Sequence, residues 1–213
     1  MTGRVGAIAW LVGAAQFLIV QLVVGAEWAT SYSWTTNNIS DLGNVDCGIW
    51  DQSRPRYVCS PLHAVMNASF IAEGILLLVG AVLTTAYWGR TAKWWTARAL
   101  LAVSAIGWII VGLAPADIDE NRHLFGALLI MGLGNIGLVC AGFLPRTASF
   151  GRAPLVTRAL AAAAVLSTVM FFAGHGPLIG MGGTERVAAF ACPAWTVVAA
   201  AIALRRQLER TTS

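Results

Sequence analysis

Residues Val5 to Ala26 read VGAIAWLVGAAQFLIVQLVVGA, an unbroken run of 22 positions without one ionisable side chain. As a helix it would rise about 33 Å, enough to cross a hydrocarbon layer of about 30 Å. Five further stretches meet or approach the same length: Pro61–Tyr87, Ala99–Ala114, Leu124–Leu144, Leu155–Ala173 and Val187–Leu204. None shows the strict alternation of a membrane β-strand, and in lipid only helices or closed barrels satisfy their own backbone. The expected fold is all-α, a polytopic bundle of six transmembrane helices. The apolar core of the first stretch exceeds the 7–15 residues, roughly, of a signal peptide, so its retention is expected.

Composition agrees. Hydrophobic residues make up 57% of the 213 positions and charged residues 11%, against about 25% charged in soluble domains. No linker or low-complexity tract divides the chain, so residues 1–213 read as one domain, with residues 27–60 forming a cap.

Basic residues set the expected orientation. Arg4, then Arg90, Lys93 and Arg98, then Arg146, Arg152 and Arg158, and finally Arg205, Arg206 and Arg210 fall on one side of the six spans. The other side carries Arg54, Arg56, Arg122 and Arg186 among Glu27, Asp41, Asp46, Asp51, Asp117, Asp119, Glu120 and Glu185. Both termini are therefore expected in the cytoplasm, in a multi-pass protein of the plasma (inner) membrane. The net charge of +4 averages two opposed faces and gives no reason to invoke nucleic acid; the expected partners are membrane lipids.

Cys47 and Cys59 lie twelve positions apart in the long first outer loop, where an oxidising compartment favours a disulfide. Their spacing matches no usual zinc pair. Cys140 and Cys192 fall inside spans and read as small apolar residues.

Ionisable groups at membrane depth are costly and persist mainly when paired or functional. The expected outer face gathers Asp41, His63, Asp117 and His123, with His175 after the fifth span. His63 and Asn67, four apart, share one helical face. Asp117 lies just after Pro115, at the turn leading to His123. Glu73 sits deeper, rotated from the His63 face, and its plain reading is a neutral acid bonded to a neighbouring helix. Glu185-Arg186 opens the last span as a local ion pair or as a grip on an anionic headgroup.

These same strings resemble a known family. Asn38-Ile39-Ser40-Asp41-Leu42-Gly43, Pro61-Leu62-His63 with Asn67-Ala68-Ser69-Phe70, Pro115-x-Asp117 followed by His123-Leu124-Phe125-Gly126-Ala127, and Gly183-x-Glu185-Arg186 resemble the six-span bacterial and archaeal membrane family catalogued as domain of unknown function 998. The Ile-Ser-Asp and His-x-x-Gly-Ala strings are also distantly similar to the eukaryotic Frag1, DRAM and Sfk1 membrane proteins, and that resemblance implies lipid handling at the outer face. Leu42 departs from the eukaryotic pattern.

Two functional readings stand side by side. In the first, an enzyme remodels lipid or isoprenoid substrates by hydrolase- or transferase-like chemistry. Asp41, His63, Asp117 and His123 would be its catalytic set, acting as acid and base or holding a divalent metal such as zinc. Ser40 would serve as a nucleophile or substrate contact, with Asn67, Glu185 and Arg186 holding substrate. In the second, a non-catalytic membrane protein binds lipid or a partner, and the polar cluster fastens the long loop to the bundle. Weaker readings are a haem held by His63 and His123, and a transporter using Gln16, Gln21, Glu73 and Asn135.

Overall fold

A computed structural model describes residues 2–90, 92–176 and 178–211. The five remaining positions of the expected 1–213 domain lie outside the described residues. Six helices are long and apolar enough to span a membrane: α1 (Thr2–Ala26), α2 (His63–Leu83), α3 (Ala92–Leu113), α4 (Glu120–Ala141), α5 (Pro154–Phe172) and α6 (Gly180–Thr211). Each packs against the next in sequence, and α6 returns to α1, closing a ring. The membrane class expected from hydropathy is the one observed.

Small residues allow the closest approaches. A Cβ at Gly74 of α2 would stand 2.5 Å from the carbonyl oxygen of Ala105 in α3, and one at Gly107 would stand 2.7 Å from that of Gly126 in α4. In lipid, where burial of apolar surface drives little, such backbone proximity supplies the packing contacts.

Three features depart from a plain reading of the spans. α4 passes through a π-helical stretch at Leu128–Gly134 before resuming α geometry at Asn135; such insertions commonly accompany functional sites. α6 starts at Gly180 rather than near Val187, and carries Pro193, which has no N–H to offer the carbonyl of Ala189. Trp88, just beyond α2, is 1% exposed. It stands edge-on to Trp10, with Phe150 and Trp195 alongside, and its indole N–H donates to Thr84 Oγ1 at 3.1 Å. Trp95 does lie at the surface.

The 27–60 segment is ordered over one end of the ring. A 3-10 turn at Ser40–Gly43 drops into the mouth of the bundle, with Asp41 and Leu42 fully buried. A hairpin of β1 (Gly48–Trp50) and β2 (Arg56–Val58) lies beside it in antiparallel register, Ile49 opposite Tyr57. Cys47 and Cys59 close this hairpin as the expected disulfide.

Candidate functional site

The cap is held by charged side chains that bond mainly to backbone. Arg186, in the first turns of α6, donates Nη1 to the carbonyls of Trp34 (3.0 Å), Asn37 (2.9 Å) and Gly182 (2.8 Å), and Nε to Gln21 Oε1 (3.3 Å). Its Nη2 donates to the Tyr32 hydroxyl, and the guanidinium lies over the Tyr32 and Trp34 rings. Burial pushes the Tyr32 phenol well above the ordinary tyrosine range, against the opposing pull of Arg186. The adjacent Glu185 faces the other way and accepts from the Ile39 amide at 2.5 Å. A local Glu185–Arg186 ion pair is absent among the described residues, because each side chain reaches the cap separately.

Asp41 is the anchor of the 3-10 turn. Its Oδ2 accepts from the Asn38 amide (2.9 Å), Asn37 Nδ2 (3.3 Å) and Arg56 Nε (2.7 Å), while Oδ1 accepts from Arg56 Nη2 (2.6 Å). Arg56 also reaches Asp51 at 3.1 Å. Burial works against the Arg56 charge, yet the bonds to Asp41 and Asp51 outweigh it and raise its pKa. Neighbouring Arg54 is lowered, by burial and by the Arg56 charge, and its Nη2 donates to Asn38 Oδ1 at 2.8 Å. At Asp51, burial is overcome by bonds from Ser53 and Arg56, so its carboxyl lies below the usual carboxylate range.

The other sequence candidates are similarly engaged. Asn67 Nδ2 donates to the Gly43 carbonyl at 2.8 Å. Asp117 Oδ2 accepts from the amides of Val45 and Asp46, both at 2.7 Å. His63 Nδ1 donates to the Ser60 carbonyl at 3.0 Å, and His123 Nδ1 to the Ala114 carbonyl at 2.8 Å. A carbonyl only accepts, so Nδ1 of each ring carries a proton, and in the neutral ring Nε2 is the acceptor. His175 is exposed and bonds to the Ala173 carbonyl.

The proposed zinc set of Asp41, His63, Asp117 and His123 is therefore not assembled: among the described residues, no three His, Cys, Asp or Glu side chains are grouped closely enough to hold an ion. Asp41 is taken up by Arg56 and the Asn38 amide at both oxygens, while Asp117, His63 and His123 each have one side-chain atom engaged by backbone, Asp117 Oδ1 staying without a partner. Two cavities are lined by His123, and His63 is not among the residues around them.

Those two cavities adjoin beneath the cap as an amphipathic crevice: Ser40, His123, Ala127, Met131 and Glu185 line both. The larger, about 270 Å³, is lined also by Asn38, Asp51, Arg56, Leu124 and Phe171. The smaller, about 30 Å³, is lined also by Phe70, Trp108 and Ile130. Trp108 is 2% exposed and its indole N–H has no hydrogen-bond partner. A buried donor left alone is uncommon and marks a place where a ligand oxygen would be welcome. Met131, on the shared wall, belongs to the π-helical stretch.

Sequence reading missed Arg56, Tyr32, Trp34, Asn37 and Trp108. Arg54-Pro55-Arg56 was the one available signal, since it places two cations in an otherwise acidic loop next to a buried aspartate.

The fold and the latched cap define a six-span integral membrane protein with a disulfide-closed hairpin over one end. Residues 11–202 match the model of the family described as Protein of unknown function (DUF998), and the chain belongs to that family. No curated protein and no solved structure matches it.

Proposed function

We propose that this protein binds the polar end of a membrane amphiphile, a lipid or isoprenoid, in the crevice beneath its cap. Under this reading the cap faces the extracytoplasmic side of the plasma membrane, and both termini are cytoplasmic. The observation that carries it is the crevice itself: charged and amide side chains, apolar side chains and Trp108 with its unpartnered N–H among the residues that line two adjoining cavities. Leu124 at its edge is 47% exposed, which supports an opening toward lipid through which a tail would leave. A volume near 270 Å³ suits a headgroup and the first carbons, whereas drug-sized ligands occupy about 300–1,000 Å³.

A binding role is favoured over catalysis because Asp41, His63 and Asp117 are committed to holding the cap. The remodelling enzyme is the second reading. It is supported by Ser40, His123 with an accepting Nε2, and Glu185 on a shared wall, and the lipid resemblance points the same way.

The test is lipid analysis of protein purified in mild detergent, beside Ala127→Trp, which fills the crevice. Binding predicts a defined lipid class retained by the native protein and lost from the folded variant. Equal lipid content in both would overturn it. Conversion of added lipid to a new product by the native protein, and not by Ala127→Trp, would decide for the enzyme.

A further inference from the structure

Glu73 lies at the midpoint of α2, 2% exposed, and no described salt bridge includes it. Its Oε2 has no hydrogen-bond partner. A side chain as large as alanine at Gly13 of α1 would stand 2.9 Å from that oxygen, so the missing Cβ there is what makes room for the carboxyl. Gln16 of α1 lies near the carboxyl. Gln16 is also tied to α2 twice: its Nε2 donates to the Ser69 carbonyl at 3.2 Å, and its Oε1 accepts from Ser69 Oγ at 2.8 Å.

The surroundings are lopsided. Toward the cap, the next polar groups are Gln16 and Ser69, bonded to each other; Asn67, on another face of α2, has its Oδ1 buried without a partner close against Gly43 of the 3-10 turn. Away from the cap the next turns are apolar and closed: Leu77 is 1% exposed, and its carbonyl accepts from the Trp10 indole at 3.0 Å. The titratable and charged groups on the packed elements are few. Cys192 of α6 lies within electrostatic reach of Glu73 and sits 3.8 Å from Asn135 Oδ1. Arg98 of α3 is held far along α2 at the Ala81 carbonyl, the span of α1 beyond Arg4 has no charge, and Asp41 of the 3-10 turn is bound to Arg56.

A carboxyl at membrane depth with an unpartnered oxygen and, among the described residues, no cationic partner has the makings of a proton site. We infer that Glu73, lodged in the notch at Gly13, reversibly binds a proton. The reaction is simple: the carboxylate takes H⁺ from water and forms a neutral carboxylic acid, and release reverses it. This site is separate from the crevice and stands whether or not lipid binds there.

Infrared difference spectroscopy of the full-length protein in nanodiscs, titrated with pH, tests the assignment. The expected result is a carboxylic C=O band that bleaches as pH rises, is missing from Glu73→Gln and is displaced in frequency in Glu73→Asp. A pH-difference spectrum identical in the native protein and in either variant would overturn it, as would a Glu73 band that never changes while the protein stays folded. Glu73→Gln is neutral and nearly isosteric; should it misfold, the Glu73→Asp displacement alone decides.

Discussion

Arg186 Nη1 donates to the Asn37 carbonyl at 2.9 Å across 149 positions of chain. One planar cation on the last helix thereby fixes the conformation of the first long loop.

Arg186→Lys keeps the charge but loses the fork, leaving several of the Trp34, Asn37 and Gly182 carbonyls without donors. Each unsatisfied buried group costs about 1–3 kcal/mol. A marked fall in thermal midpoint is expected, together with protease cleavage between residues 28 and 60 in otherwise folded protein. An unchanged cleavage pattern would show that the cap holds without this latch.

Asp41→Asn leaves the buried Arg56 guanidinium with Asp51 as its remaining carboxylate. Removing one partner of a buried pair costs about 3–5 kcal/mol. The double variant Asp41→Asn/Arg56→Gln should lose less than the two single losses combined. Strict additivity in a double-mutant cycle would mean the pair is not coupled.

Reduction of Cys47–Cys59, or substitution of both by serine, frees a hairpin closed across twelve positions. A loop of about that size contributes about 3 kcal/mol through the unfolded chain. Unfolding by denaturant should shift to lower concentration on adding reductant, and the serine variant should show no further shift.

Tyr32 sets an alkaline limit on the latch. Its folded pKa is raised, mainly by burial, so its contribution to stability is complete below the ordinary tyrosine value near 10.0 and is lost as pH rises above it. In a spectrophotometric titration the tyrosinate of Tyr32 should appear last, together with cap release, and Tyr32→Phe should remove that late step. Full ionisation of all tyrosines in one early step would contradict the buried latch.

Trp108→Phe separates fold from ligand. Deleting a buried donor that has no protein partner should leave stability unchanged or raise it, since an unsatisfied group costs about 1–3 kcal/mol. Retention of lipid through purification should weaken. A loss of stability with lipid retention intact would place the indole in the packing alone.

Six spans, the membrane class and the disulfide were legible because they depend on local quantities: the length and hydropathy of each run, and a cysteine pair in a polar loop. Even Asp41 and Arg186 announced themselves as rare charges near apolar helices. Their partners could not be read from that pattern, because a carboxylate accepts equally well from an amide, a guanidinium or a metal until the chain brings one of them near. The ring closure of α6 on α1 put Arg186 beneath Trp34 and Asn37, and the turn before α4 put Asp117 against the Val45 and Asp46 amides. Only that assembly gave Asp41, Asp117 and Arg186 their partners in the cap, and left Trp108 beside the crevice and the carboxyl of Glu73 among the buried polar groups that still lack one.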